Sequence, residues 1–176
     1  MEMRKPVAVD KAVQRVMNHA LNGSVEFLPI HRCFNETLAR DIVATHDVPH
    51  FDRSPYDGFA ICSRDTIGAS RDFPVEFGGI EEIGAGMVAT RKVEAKQAVR
   101  IMTGAQMPDG ADAVIMLELV REIERDGKVF IQIRRRVKED ENVSFKGEDA
   151  KQGELLVNKG TKLNPGIKAL LATFGY

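Results

Sequence analysis

The amino-acid sequence predicts an α+β fold that is rich in β-strands. Amphipathic helical patterns lie near both ends of the 176-residue chain, whereas short runs of β-branched and aromatic residues fill the middle. This distribution indicates a segmented domain assembled from both termini, residues 1–45 and 141–176, with a β-barrel-like domain, residues 46–140, inserted between its two parts. The apolar fraction of 43% is enough for these domains to build hydrophobic cores.

A helix is predicted near each end of the chain. Residues 9–21 form an amphipathic pattern, and Asn22 followed by Gly23 supplies a stop signal. The apolar positions of this helix are Val9, Val13, Val16, Met17, Ala20 and Leu21. Near the C-terminus, Asn164 can cap a second helix and Pro165 suits its first turn. One face of that helix is lined by Ile167, Leu170, Leu171 and Phe174.

Strands are predicted between the two helices. The clearest signal is a hairpin, in which residues 120–125 and 128–134 alternate apolar and polar side chains on either side of the favoured turn at Asp126 and Gly127. A second hairpin is predicted over residues 153–163, with its tip at 158–160. Further short strands are predicted at 59–62, 99–102 and 113–117.

The charge balance argues against several classes of partner. The chain carries 25 basic and 26 acidic side chains, so no broad electrostatic field would attract nucleic acid or an anionic membrane. No apolar stretch approaches the roughly 20 residues needed to cross a bilayer, and the N-terminus does not resemble an export signal. We therefore expect a cytoplasmic protein in which Cys33 and Cys62 are free thiols.

Residues 48–61 form the first of three candidate site loops. Pro49 and Pro55 stiffen the approach to a tight turn at Asp57 and Gly58. Such a turn presents a carboxylate that could orient a polar ligand or help to hold a cation, and Gly58 would let the backbone come close to a ligand. The alternative is that Asp57 only caps its own turn.

The second candidate loop lies within residues 100–118. A predicted strand ends at Thr103, Gly104 and Ala105, and a Pro-Asp-Gly turn leads to the next strand. The Thr103 hydroxyl and the amides that follow it could hold an oxyanion. The GxxxxGK[ST] pattern is absent, so the loop is not a P-loop of that type. Turn chemistry alone is the competing interpretation.

The third candidate loop lies within residues 145–156. Here Glu148 and Asp149 set adjacent carboxylates next to Gly147 and close to Lys146. Paired acids suit magnesium or a shared hydrogen-bond network, although adjacent acids on a solvated turn are also common.

Another segment contains possible transition-metal ligands, namely His46, Asp47, His50 and Asp52. We interpret it as a polar connector, because Pro49 prevents a regular helical pairing of the histidines and no third anchor is evident.

In their order along the chain, the three loops resemble the motifs of the MoeA/gephyrin family, the molybdopterin molybdenumtransferases. The first family motif is approximately P-x-F-D-x-S-x-M-D-G-Y-A, in which Tyr56 and Phe59 replace the usual Met and Tyr. The positions that match it are Pro49, Phe51, Asp52, Ser54, Asp57, Gly58 and Ala60. The second motif, R-I-x-T-G-A-x-x-P-x-G-A-D-A-V-V-x-x-E, is met over residues 100–118 with Ile115 as its notable substitution. The third is met by Gly147, Glu148, Asp149, Gly153, Gly160 and Leu163.

The resemblance implies a reaction and a set of site residues. Full-length members of the family insert molybdenum from molybdate into adenylated molybdopterin and release AMP, with magnesium assisting. The positions that match the family's active-site cleft are Asp57, Thr103 and Asp149. Asp57 and Asp149 are expected to position magnesium or water, and Thr103 to donate a hydrogen bond to an oxyanion. Weaker substrate-binding expectations fall on Ser54, Gly58, Gly104, Lys146 and Glu148.

The resemblance also bears on domains and partners. It runs from the first predicted helix to the last, whereas the family's pterin-binding and C-terminal domains would lie beyond Tyr176. We therefore expect the chain to be the N-terminal part of such an enzyme and to be inactive alone. The family forms homodimers to which the segmented domain contributes, so a homodimer is expected here. A pterin-adenylating protein of the same pathway is the other expected partner.

One position departs from the family pattern. The family often has N-I-R-x-x-G-E-D before the third loop, but Ser144 stands here where the arginine is common. The role of that arginine cannot be carried over, and an anion contact at this place would fall to Lys146 or to residues 134–136, a run of three arginines. The same run, followed by acids, is equally well explained as a solvated strand end.

Two other functions remain open at this stage. Gephyrin uses the same fold as a scaffold that clusters membrane receptors, so a dimeric interaction module is the alternative to an enzyme. A glycine-rich pterin-binding domain with acidic site residues after residue 176 would favour the enzyme, and its absence would favour the scaffold. A β-rich interaction domain that matches the motifs by chance is the third reading, which three ordered motifs disfavour.

Overall fold

The computed structural model describes residues 6–21 and 23–176. It confirms an α+β protein in which β-strands predominate. The helices and strands are, in chain order, α1 (Val9–Met17), β1 (Ile42–Val43), β2 (Gly58–Ile61), β3 (Val75–Ile83), β4 (Gln97–Ile101), β5 (Ala113–Met116), β6 (Val120–Arg125), β7 (Lys128–Ile133), β8 (Leu155–Val157) and α2 (Pro165–Thr173). Two short 3₁₀ helices span Ser63–Thr66 and Leu117–Leu119. Neither α1 nor α2, within the described residues, has the length or the apolar character to span a membrane.

A six-stranded sheet in the order β5-β2-β4-β3-β7-β6 forms the centre of the molecule. Its neighbours pair antiparallel, except β3 and β4, which are parallel. The edge strands β5 and β6 are consecutive in the chain and are joined by Leu117–Leu119 alone. Because so short a connection keeps the two edges close together, the sheet has to curl.

Both faces of the curled sheet are buried around β2, β4 and β5. Alternate residues of a strand point to opposite faces, so Phe59 and Ile61 belong to one core and Ala60 to the other. The first core contains Phe59, Ile61, Phe77, Ala98, Ala113, Ile115, Ile131, Ile133 and Val137. The second contains Ala60, Ile83, Val93, Val99, Ile101, Ala105 and Val114. Burial on both faces explains why β2 and β5 are nearly continuous apolar runs.

The hairpin around Asp126 and Gly127 is confirmed. Strands β6 and β7 pair in register from Val120 opposite Ile133 to Arg125 opposite Lys128. The turn residues have φ values of 50° at Asp126 and 70° at Gly127, as a two-residue turn of this kind requires.

The hairpin predicted over residues 153–163 is wrong. Strand β8 pairs with β1, where Ile42 lies opposite Val157, and the following segment also bonds to the N-terminal part of the chain. The Leu38 amide donates to the Thr161 carbonyl at 2.9 Å, and the Gly160 amide donates to the Leu38 carbonyl at 2.7 Å. Both arms therefore find partners far away in sequence instead of each other.

Strand β3 is a long element that the sequence pattern does not reveal. It contains Gly78 and Gly79, which weaken the β signal, and its pairing with β4 shifts register between Gly79 and Glu81. It nevertheless lies between β4 and β7 and places Phe77 in the core.

The two helices differ in how well the sequence predicts them. Helix α2 begins as expected, because the Asn164 side chain accepts a hydrogen bond from the Ile167 amide at 2.9 Å and Pro165 occupies its first turn. Helix α1 ends at Met17 and not at residue 21. It contains no buried residue, so no packing extends it beyond its local hydrogen bonds. Of the predicted stop signal, Asn22 lies outside the described residues.

A smaller two-stranded sheet, β1 with β8, combines segments from both ends of the chain. Its core joins Cys33 and Ile42 to Leu163 and Leu171, and a second cluster packs Ala44 against the C-terminal segment. The boundaries predicted near residues 46 and 140 stay a prediction.

Gly58 is a position at which a side chain should not fit. A Cβ atom there would lie 2.3 Å from the carbonyl oxygen of Ile115 on β5. We expect Gly58→Ala to reduce the free energy of unfolding by about 3 kcal/mol, because strands held on both sides cannot separate locally. Gly78→Ala is the control, since its nearest atom is 3.8 Å away, and should change stability by no more than about 1 kcal/mol. Urea denaturation of both variants measures the difference, and equal effects would contradict the steric explanation.

Candidate functional site

The three candidate loops lie side by side and are joined through Arg53. Arg53 forms isolated antiparallel bridges with Gln106 on one side and Ser144 on the other. Arg53 and Ser144 exchange amide-to-carbonyl hydrogen bonds, both of 2.9 Å. The Ser54 amide donates to the Ala105 carbonyl at 3.0 Å, and the Gly104 amide donates to the Ser54 carbonyl at 2.8 Å. Residues about 50 and 90 positions apart in the chain thus form one rigid group.

A cleft of about 420 Å³ opens where these loops meet. Its lining consists of Arg53, Ser54, Pro55, Thr103, Gly104, Val143, Ser144 and Glu148. Ser54 is fully buried, and its hydroxyl donates to the carbonyl of Tyr56. Ser54 thus stabilises the turn that leads to Asp57. The alternative interpretation of the sequence had Asp57 itself cap this turn.

Asp57 is instead bound to the second loop. Its Oδ1 atom accepts hydrogen bonds from the Thr103 amide at 2.7 Å and from the Thr103 hydroxyl at 2.8 Å. The Thr103 amide and then the Thr103 hydroxyl are the main causes that hold the pKa of Asp57 below its usual value. Desolvation opposes them, and the charge of Arg100 is the smallest of the lowering causes. The first and second loops therefore present an ionised carboxylate at neutral pH.

Glu148 closes the third loop on itself. One of its carboxylate oxygens accepts a hydrogen bond from the Ser144 hydroxyl, and the other accepts one from the Phe145 amide at 2.9 Å. These hydrogen bonds lower the pKa of Glu148, the one from the Ser144 hydroxyl most and the one from the Phe145 amide next. Ser144 thus has a structural task in this chain, which is to hold the Glu148 carboxylate.

Asp149 meets the first loop through a loose ion pair. The nearest atoms, Arg53 Nη2 and Asp149 Oδ2, are 3.7 Å apart, and the two side chains are 39% and 59% exposed. The Asp149 amide donates to the Val48 carbonyl at 2.9 Å and fixes the backbone of the third loop against the first.

Comparison with known proteins decides the family. Residues 7–175 match the family model described as MoeA N-terminal region (domain I and II). The chain belongs to this family. The molybdopterin molybdenumtransferase of Bacillus subtilis (strain 168) is 51% identical over 176 residues, which are 100% of this chain and 41% of that protein. The one from Staphylococcus aureus (strain Mu50 / ATCC 700699) is 47% identical over 175 residues, 99% of this chain and 41% of that protein.

Solved structures agree with this MoeA N-terminal assignment. A crystal structure of the molybdopterin biosynthesis moeA protein from Pyrococcus horikoshii OT3 has a TM-score of 0.79 and 41% sequence identity, covering 85% of this chain and 38% of that one. A second Pyrococcus moeA structure has a TM-score of 0.83 and 36% identity, covering 97% of this chain and 43% of that one. The chain therefore spans about two fifths of the length of the relatives that it matches.

In this member of the MoeA family, the cation that lines the cleft is Arg53, which the sequence analysis does not single out. Lys146 lies outside the cleft lining, and its Nζ atom is 3.5 Å from Asp47 Oδ2. Arg135 is paired with Glu141, and residues 134–136 do not line the cleft either. An anion contact by Lys146 or by this arginine run, in place of the arginine missing at 144, stays a prediction. Arg53 occupies a position that the first motif leaves unspecified, so only its pairing with Ser144 reveals it.

The two glycines predicted to bind substrate have different positions. Gly58 is buried. Its backbone lies close to the Ile115 carbonyl, because a Cβ atom placed at Gly58 would be 2.3 Å from that carbonyl oxygen. Gly104 lines the cleft with a φ of 83°, a backbone conformation that glycine adopts readily. Substrate contact by either glycine stays a prediction.

The described residues contain no group of three His, Cys, Asp or Glu side chains that could hold a metal ion. Asp57 Oδ1 is bound by Thr103, and Asp149 faces Arg53. The rings of His46 and His50 stack with their centroids 4.6 Å apart. A magnesium ion positioned by Asp57 and Asp149 stays a prediction.

Removal of the Thr103 hydroxyl should weaken the bond between the first two loops. In Thr103→Val, we expect the pKa of Asp57 to rise but to stay below its usual value, because the Thr103 amide remains. Since the folded-state pKa is depressed, the stabilisation is complete above the unfolded value of about 3.9 and is lost as the pH falls through the folded value. The stability difference from the wild type should therefore shrink on acidification.

Carboxyl-carbon NMR titration measures the pKa, and urea denaturation at several pH values measures the stability. Thr90→Val is the matched control, because the Thr90 hydroxyl donates to Glu81 in the same way, at 3.0 Å. It should move the pKa of Glu81 and leave that of Asp57 unchanged. An unchanged Asp57 pKa in Thr103→Val would show that the hydroxyl does not act on it.

Proposed function

We propose that this chain supplies the loop cleft of a molybdopterin molybdenumtransferase. The reaction would insert molybdenum from molybdate into adenylated molybdopterin and release AMP. The observation that carries the proposal is the convergence of three family-motif loops, distant in sequence, on one cleft beside Asp57 and Thr103. The names of the Bacillus and Staphylococcus relatives support the same reaction. Because the chain spans 41% of the length of those relatives, their activity is a proposal for this chain and does not follow from the similarity alone.

The cleft is suited to orienting anions and not to nucleophilic catalysis. The hydroxyl of Ser54 is buried and donates to the Tyr56 carbonyl, so it has no free proton for a base to remove. The groups available to a substrate are charged or hydrogen-bonding ones, held by the backbone pairing of the loops. Holding reactants in one geometry is itself a large source of rate acceleration. We therefore assign positioning, without a covalent intermediate, to this part of the protein.

Asp57 and Thr103 act as a pair in this proposal. Oδ1 of Asp57 is occupied by Thr103, whereas Oδ2 accepts no hydrogen bond within the described residues. Oδ2 is the atom that orients water or a donor group of the pterin substrate. In this structure the Thr103 hydroxyl donates a hydrogen bond to Asp57. By rotating its O–H bond it would donate to an oxyanion of the substrate instead, and the hydrogen bond from the Thr103 amide would still hold Asp57 in place.

The setting of the reaction follows from the same proposal. The substrate would come from a pterin-adenylating protein, and the reaction would take place in the cytoplasm. Cys33 and Cys62 are both free, a state that a reducing compartment preserves.

A chimera tests the proposal. The 176 residues of this chain replace the matching region of the Bacillus subtilis relative, and molybdenum insertion into adenylated molybdopterin is measured with molybdate. The chimera should be active. Asp57→Asn should reduce the rate about 100-fold or more and Thr103→Ala about tenfold, because both remove groups that orient the substrate.

Asp112→Asn is the matched control in the same chimera. Asp112 also accepts hydrogen bonds from a nearby amide and hydroxyl, those of Ser63, but it lies away from the cleft lining. Its variant should keep the insertion rate if it folds. An active chimera that is indifferent to both Asp57→Asn and Thr103→Ala would contradict the positioning roles proposed for these two residues.

We also propose that the chain forms a homodimer through α1. The helix has no buried residue, and its apolar side chains remain 56–76% exposed at Val9, Val13, Val16 and Met17. An amphipathic helix with an uncovered apolar face is typical of a surface that another protein covers. A second copy presents the same face, and closed two-fold dimers are the commonest assembly.

Light scattering across a concentration series tests the dimer. The wild type should show twice the monomer mass of 19.5 kDa. Val13→Asp together with Val16→Asp should shift it to the monomer, because two buried charges without partners cost several kcal/mol. Lys11→Asp is the control for added negative charge on this exposed helix, and a dimer that survives the valine substitutions would exclude α1 as the interface.

A further inference from the structure

We propose that Arg53 binds a tetrahedral oxyanion in the loop cleft, supplied either by molybdate or by the phosphate of a nucleoside monophosphate. The identity of the anion rests on the proposed function, whereas the choice of Arg53 rests on the geometry of the cleft. Binding of the anion is a direct property of the chain, so it can be measured without turnover.

Arg53 lies at the centre of the loop group. Its backbone bridges to Gln106 and to Ser144, so its position is set from both sides. Its side chain lines the cleft together with Thr103, Gly104 and Ser144. It is also the cationic residue of that lining. An anion that enters the cleft therefore meets the guanidinium at a fixed place.

The guanidinium of Arg53 has donors to spare. Arginine carries five N–H donors, and here the ion pair with Asp149 is loose, at 3.7 Å between Nη2 and Oδ2. The side chain is 39% exposed, so it is partly desolvated but still reachable. A planar fork of donors matches two oxygens of a phosphate-like anion, and such bidentate pairs are stronger than neutral hydrogen bonds.

Glu148, the acidic residue of the cleft lining, is already hydrogen-bonded to residues just before it in the chain. Both oxygens of Glu148 accept hydrogen bonds, one from the Ser144 hydroxyl and one from the Phe145 amide. Glu148 is therefore held in place mainly by Ser144 and Phe145, and the charge of Arg53 is a smaller cause of its lowered pKa. Asp149 is the carboxylate that competes most directly with an incoming anion for the guanidinium.

The pairing of Arg53 with Ser144 also explains the departure from the family motif. Ser144 is the position at which the family often carries arginine, and it lies directly opposite Arg53 in the antiparallel bridge. Directly opposed residues of such a pair have side chains within reach of the same space. In this chain the first loop thus supplies the guanidinium of the cleft. In relatives with an arginine at the position of Ser144, the segment before the third loop could supply it to the same space.

Titration of sodium molybdate, and separately of AMP, into the 176-residue chain tests the proposal by amide NMR. Arg53→Ser should weaken binding of at least one of these anions about tenfold, and Arg53→Lys about threefold, because lysine keeps the charge but loses the fork. The exchanged pair, Arg53→Ser with Ser144→Arg, should regain affinity to within about threefold of the wild type. Asp149→Asn should tighten binding by removing the competing charge.

Arg71→Ser is the control, because Arg71 is an exposed arginine away from the cleft and its loss changes the net charge equally. It should leave both affinities unchanged. Binding of molybdate alone, of AMP alone, or of both through Arg53 identifies the source of the anion and supports the proposal. If Arg53→Ser does not fold, Arg53→Lys and the exchanged pair carry the test.

Two results would overturn the inference: affinity that does not change in any Arg53 variant, or no binding of either anion up to about 20 mM, well above the range expected for one desolvated ion pair. Failure of the proposed function has a different signature. An inactive chimera with intact Arg53-dependent anion binding would reject the molybdenum-insertion reaction and leave the anion site standing.

Discussion

The backbone pairing of residues 52–54 with two other loops is the constraint on which the cleft depends. Through this pairing the first loop lies between the second and the third, with Arg53 bridged to both. The first loop leads into β2 and the second leaves β4, both strands of the curled sheet, whereas the third leads into β8 of the smaller sheet. The backbone pairing sets the register of the three loops. The result is a preorganised surface built from loops and supported by strands.

The carboxylates near the cleft share one electrostatic design. Asp57 and Glu148 each accept one hydrogen bond from an amide and one from a hydroxyl, and in each case these hydrogen bonds lower the pKa of the carboxyl group. Asp47 is held in a related way, by the Gln152 amide first and by the charge of Lys146 as a smaller cause. Such acids stay ionised and fixed in orientation. A proton-transfer catalyst, by contrast, would need a pKa closer to neutrality.

Local signals account for the elements that the sequence predicts well. The turn at Asp126 and Gly127, the cap at Asn164 and the apolar runs of β2 and β5 depend on neighbours in sequence, and the structure has them. The errors lie where long-range partners decide. Strand β3 is stabilised by β4 and β7 despite its two glycines, and β8 pairs with β1 and not with the segment that follows it. Helix α1 is shorter than its pattern, and none of its residues is buried by packing against the rest of the described chain.

The sequence by itself determined the family, the β-rich fold class and the three loops in which the chemistry was to be sought, because motif residues and turn residues act locally and keep their order along the chain. Only the tertiary structure decided which side chains meet. In the structure, Asp57 accepts hydrogen bonds from Thr103, and Glu148 accepts one from the Ser144 hydroxyl. Arg53 lines the cleft, whereas Lys146 forms an ion pair with Asp47. These contacts depend on how the sheet curls and on which loops share hydrogen bonds, and residue spacing does not encode either of them.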